Sequence, residues 1–67
     1  MEINQKIREL RISKGISQVF MAKELSVSVS AYNMKEAGKR SFRAQELKCV
    51  AKALNEHPSI FLIKYYT

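Results

Sequence analysis

The sequence predicts an all-α domain, a bundle of about five short helices in 67 residues. Three observations point there. Apolar residues recur at helical rather than strand spacing, with Ile3, Ile7 and Leu10 at i, i+4, i+7, and Leu47, Val50, Ala51 and Leu54 at i, i+3, i+4, i+7. Single serines and glycines stand where helices should begin and end, instead of gathering into linkers. No repeat, low-complexity run or shift in composition divides the chain, so residues 1–67 read as one domain with one small core.

Each element follows from its boundaries. The first helix closes at Lys14, with Gly15 as its C-terminal cap, and Ser17 is placed to cap the next helix, whose inner face is Met21, Ala22 and Leu25. Ser26 to Ser28 breaks the periodicity. Ser28 can cap a third helix starting at Val29, which Gly38 ends, and a fourth is expected from about Ala44 to Asn55. Pro58 suits the first turn of a short fifth helix carrying Ile60, Phe61, Leu62 and Ile63, with His57 as a helix-start residue.

Composition narrows the function. The chain is 46% hydrophobic and 27% charged with two Gly and one Pro, too apolar and too poor in breakers for a disordered tail. Twelve Lys and Arg against six Glu leave a net charge of +6, which favours a polyanionic partner, nucleic acid or an anionic membrane surface. Cys49 has no second cysteine to pair with, and with His57 alone it cannot complete a zinc site, so no metal or cofactor is expected. On its helix Cys49 reads as a surface thiol. Asp is absent and the six Glu are scattered, so paired-carboxylate, Ser-His-Asp and metal-assisted chemistries lack parts, and no enzyme is expected. The longest apolar runs, Val19 to Ala22 and Ile60 to Ile63, are four residues each, so neither a membrane span nor a signal core is expected, and the chain reads as cytoplasmic.

The informative stretch is Ser17 to Arg40: two turns of helix, a tight three-residue turn, a second helix of similar length, then a glycine and two basic residues. That is the outline of a helix-turn-helix. Ala22 is small where the two helices must approach, and Tyr32 faces inward from the second. Here the sequence resembles the Cro and CI repressor family of phage helix-turn-helix proteins, the xenobiotic-response-element type, over nearly its whole length. Further matches are Leu10-Arg11 before Gly15, Ser17-Gln18 opening the second helix, Glu36 and Gly38-Lys39 after the third, and Val50-Ala51-Lys52-Ala53-Leu54 in the fourth. The resemblance implies a lambda-repressor-like DNA-binding domain, with the third helix as the recognition helix and Arg11 paired with Glu36.

At about 100° per residue, Val29, Ser30, Asn33 and Met34 share one arc of that helix, while Ala31, Tyr32, Lys35 and Glu36 face the body or its edge. The first group would face the major groove. Asn33 can pair with an adenine edge, Ser30 with several bases, and Val29 or Met34 with a thymine methyl. With no Arg or Lys to grip guanine, modest specificity is expected, helped by DNA shape. Phosphate contacts are expected from Gln18, Ser28, Lys39, Arg40 and Arg43, the last three in a loop that runs beside the sugar-phosphate backbone in the resembling family.

Four features depart from the family pattern. Ser26 stands where the family usually has Gly, and at positive φ it would cost on the order of 1 kcal/mol. Val29 replaces a Gln or Arg, and Lys35 an apolar residue at the body's edge, where its stem can still pack. Val19 and Phe20 replace polar residues, and either extend the core or form a protein contact. Phe61, Ile63, Tyr65 and Tyr66 crowd the C-terminus, where some close the core and the excess can serve a homodimer.

The leading expectation is a transcriptional regulator, a repressor of phage or mobile-element type, binding duplex DNA as a symmetric dimer. The rival is a protein-interaction module on the same fold, an antagonist or co-regulator of another regulator, binding through Val19, Phe20 and the C-terminal aromatics. An RNA or membrane-surface binder draws on the charge alone and ranks last.

Overall fold

The computed structural model describes residues 2–61. Four helices, α1 (Ile3–Ser13), α2 (Gln18–Glu24), α3 (Val29–Glu36) and α4 (Ala44–Ala53), are followed by a helical turn over residues 59–61, and there is no strand among the described residues. The all-α class expected from apolar spacing is the class found.

One local device ends all four helices. The residue just past each cap has positive φ: Gly15 at 68°, Ser26 at 57°, Gly38 at 84° and Asn55 at 58°. Around each of them the chain turns back through the same two backbone bonds, for example Gly15 N–H to the Ile12 carbonyl and Ile16 N–H to that of Arg11. These satisfy carbonyls that the helix end would otherwise leave unpaired. The left-handed residue stops α4 at Ala53, short of the expected Asn55. Ser26 does take the left-handed conformation in which its Cβ is unfavourable.

The starts are equally local. Ser17 Oγ accepts from Phe20 N–H at 3.0 Å and Ser28 Oγ from Ala31 N–H at 3.0 Å, as N-caps do. At α4 the cap residue is Arg43, whose backbone N–H donates to Glu46 Oε1 at 2.7 Å. His57 Nδ1 accepts from Ser59 N–H at 3.1 Å, opening the last turn behind Pro58.

Burial follows the predicted stripes: Ile7, Met21, Leu25, Tyr32, Leu47, Val50 and Leu54 form one core in which Ala22 and Ala51 allow close helix approach. Helix α2 packs on α3 and α4, and α1 packs on α3. Phe61 is a correction. Expected among the dimer or partner residues, it is 1% exposed and belongs to the core, because the turn after Pro58 folds it back onto the bundle. Leu62, Ile63, Tyr65 and Tyr66 lie outside the described residues.

Candidate nucleic-acid interface

Helix α3 is anchored through its last residue. Glu36 has its side chain 1% exposed, and its carboxylate accepts four hydrogen bonds. Arg11 Nε reaches Oε2 at 2.8 Å and Arg11 Nη2 reaches Oε1 at 2.9 Å, a two-pronged grip that matches guanidinium to carboxylate. The Tyr32 hydroxyl donates to Oε2 at 2.6 Å and Gln18 Nε2 to Oε1 at 3.1 Å. Burial by itself would raise the Glu36 pKa, but the hydrogen bonds from Arg11, Tyr32 and Gln18 and the charge of Arg11 outweigh it and hold the carboxyl below its usual range. Burial, and then the bond to Glu36, push the Tyr32 hydroxyl far above its ordinary range, so it remains a donor.

The same anchor organises the neighbouring chain. Arg11 Nη1 donates to the Ile16 carbonyl at 2.8 Å, fixing the α1–α2 turn, and Asn4 Nδ2 donates to the Glu36 carbonyl at 3.1 Å, closing the end of α3. Gly38 sits against that asparagine, where a Cβ would come within 3.1 Å of Asn4 Nδ2.

With α3 pinned from behind, its outer arc faces solvent. Val29, Ser30, Asn33 and Met34 are all exposed, and they flank the exposed N-cap Ser28, whose oxygen is occupied with the Ala31 amide. Asn33 also donates, through Nδ2, to Gln18 Oε1 at 3.0 Å. Both ends of the Gln18 amide are therefore engaged within the protein, leaving one N–H to donate to any phosphate.

The basic loop after α3 is tethered by the one lysine that sequence reasoning left at the edge. Lys35 is buried, and its ammonium donates to Glu46 Oε1 at 3.0 Å and to the Ser41 carbonyl at 3.2 Å. Burial would raise the Glu46 pKa, but the Arg43 backbone N–H and then Lys35 lower it overall. Phe42 packs edge-on against Tyr32, with ring centres 6.1 Å apart. These contacts hold the loop while Lys39, Arg40 and Arg43 are exposed and pair with no acid among the described residues. The loop thus carries three positive charges without a salt bridge among the described residues, on a fixed backbone next to α3.

Sequence reasoning missed Asn4, the double engagement of Gln18, and the Tyr32 hydroxyl as a donor to Glu36. Tyr32 and Glu36 are four residues apart on one helix face, a spacing that signals the contact. For Asn4 and Gln18, 32 and 18 residues from Glu36 in sequence, the signal exists only in the folded chain. Among the described residues no three His, Cys or acidic side chains gather to hold a metal, and no helix is long and apolar enough to cross a membrane.

A helix set behind a short turn, capped by serine and locked to the body by Arg11 on the buried Glu36 carboxylate, defines the class, and residues 7–61 match the helix-turn-helix family model. The chain belongs to that family, of the Cro and CI type, whose members are DNA-binding transcription regulators. It is similar to the HTH-type transcriptional activator BcrR of Enterococcus faecalis, with 38% identity over 52 residues, covering 78% of this chain. The match spans 26% of that relative, about a quarter of its length. No solved structure matches the chain.

Proposed function

We propose that the protein regulates transcription by docking α3 in the major groove of duplex DNA, reading base edges with Ser30, Asn33, Val29 and Met34. Lys39, Arg40 and Arg43 hold the phosphates beside it. The observation that carries this reading is the exposed arc of α3 next to three basic side chains that pair with no acid among the described residues, on a helix whose other face is locked to the core. A dimer binding a two-fold symmetric site fits a domain this small, since one reading helix covers only a few base pairs. The sign of regulation depends on where the site lies. Occlusion of a promoter gives the repression expected from the phage resemblance, whereas the Enterococcus relative is named an activator.

Selection of bound duplexes from a random pool tests the proposal, with enrichment of a symmetric site as the expected result. Ser30→Ala combined with Asn33→Ala should keep the fold, erase the preference and retain residual binding to any duplex. One observation favours the rival reading. Val19 and Phe20 at the start of α2 are 62% and 44% exposed, apolar side chains suited to a protein contact. Absence of any enriched duplex, together with a protein complex lost when Val19 and Phe20 become polar, would establish the interaction module instead.

A further inference from the structure

An ionised carboxylate can only accept hydrogen bonds, and that fact reaches beyond the buried end of α3. Because Arg11 clamps the Glu36 carboxylate, Gln18 must turn its nitrogen inward, and it does, Nε2 to Glu36 Oε1 at 3.1 Å. With the nitrogen turned inward, Gln18 Oε1 faces Asn33, and since that oxygen can only accept, it is met by the Asn33 amide nitrogen, Nδ2, at 3.0 Å. Asn33 is committed in turn: its nitrogen faces Gln18, while Oδ1 and the second amide hydrogen have no partner among the described residues. An isolated Asn or Gln amide can flip with almost no change in shape. Here a chain of three side chains, fixed at one end by an acceptor-only group, removes that freedom.

We infer that Gln18 is a specificity-determining positioning residue, which links the buried Glu36 carboxylate to the recognition face and sets the way Asn33 presents its amide to a base. A held amide offering one acceptor and one donor complements adenine, whose major-groove edge carries a donor and an acceptor. Gln18 thereby shapes base preference without touching a base. The inference rests on α3 being the reading helix, as proposed above.

Two measurements test it, one of which needs no DNA. In ¹⁵N-edited spectra of the free protein, the Asn33 side-chain amide should show protected, well-dispersed protons that move to solvent-like positions in Gln18→Leu. An Asn33 amide that exchanges freely in the wild-type protein overturns the relay. On the selected duplex, Gln18→Leu and Asn33→Ala should each lose about tenfold discrimination between A·T and G·C at one position, and the double variant should lose no more than either. If Gln18 served only as a phosphate contact, Gln18→Leu would weaken all duplexes alike, also in the Asn33→Ala background, and the inference would be wrong. A wild-type protein that prefers no duplex overturns the reading of α3 and the specificity role with it. That failure is told apart from failure of the relay by the Asn33 spectrum.

Discussion

Replacing Arg11 by Met removes two of the four hydrogen bonds accepted by the Glu36 carboxylate, and with them the bond that holds the Ile16 carbonyl. The carboxylate stays behind in a site where its side chain is 1% exposed, with Tyr32 and Gln18 as its remaining donors. Stranding one member of a buried ion pair costs about 3–5 kcal/mol. Total stability for a domain of this length is about 3–10 kcal/mol at ~0.05–0.15 kcal/mol per residue. The loss is therefore a large share of the whole, and at roughly 4–8 °C per kcal/mol it lowers the melting midpoint by at least about 12 °C.

Urea unfolding followed by circular dichroism, on Arg11→Met, Glu36→Gln and the double variant, measures the effect. The double variant should be more stable than Arg11→Met alone, since no buried charge is left unpaired, with a coupling of at least ~1.5 kcal/mol. The Lys14–Glu56 pair is the internal comparison. It is 2.9 Å long but has side chains 31% and 30% exposed, so Lys14→Met should cost no more than about 1 kcal/mol. If Arg11→Met is no worse than Lys14→Met, or the Arg11 and Glu36 effects add within ~0.5 kcal/mol, the anchoring role assigned to the pair is wrong.

Three further outcomes are expected. Glu36 and Glu46 have pKa values lower in the folded protein than the usual 4.5, so their contribution is fully present above that value and is lost as pH falls below it; Glu36→Gln should flatten the acid limb of a stability–pH curve, and an unchanged limb would contradict this. Gly38→Ala should destabilise more than Gly15→Ala in thermal melts: both face the left-handed penalty of about 1–2 kcal/mol, but only at Gly38 does the new Cβ crowd Asn4. Lys39→Ala or Arg40→Ala should weaken binding to every duplex alike and reduce the log–log salt slope by about 0.9 per lost phosphate contact, whereas an unchanged slope removes the basic loop from the interface.

What was legible in the sequence was what neighbouring residues settle among themselves. A serine caps the amide three residues on, a left-handed residue turns the chain within five, and apolar residues at i, i+3, i+4 and i+7 share a face whatever lies opposite. Ser17, Ser28, Gly15 and Gly38 therefore marked their boundaries directly. Asn55 was harder to place because asparagine also occurs inside helices, and the difference appears only as two residues at the end of α4.

By itself the sequence determined the helical class, the order of its helices and their limits except the end of α4, the outer arc of α3 and the density of charge beside it, all consequences of short-range geometry and composition. Apart from the Arg11–Glu36 pair that the family resemblance implied and the Tyr32–Glu36 contact that helical spacing signals, only the tertiary structure decided which polar side chains meet. Phe61 belongs to the core because the turn after Pro58 returns it there, and Lys35 is buried because Glu46, eleven residues away, supplies the opposite charge. Gln18 faces Glu36 and Asn33 through packing of α2 on α3. The physical reason is that a hydrogen bond or ion pair needs its partner within about 3 Å, and distance in sequence carries no information on that scale once the chain has turned back on itself.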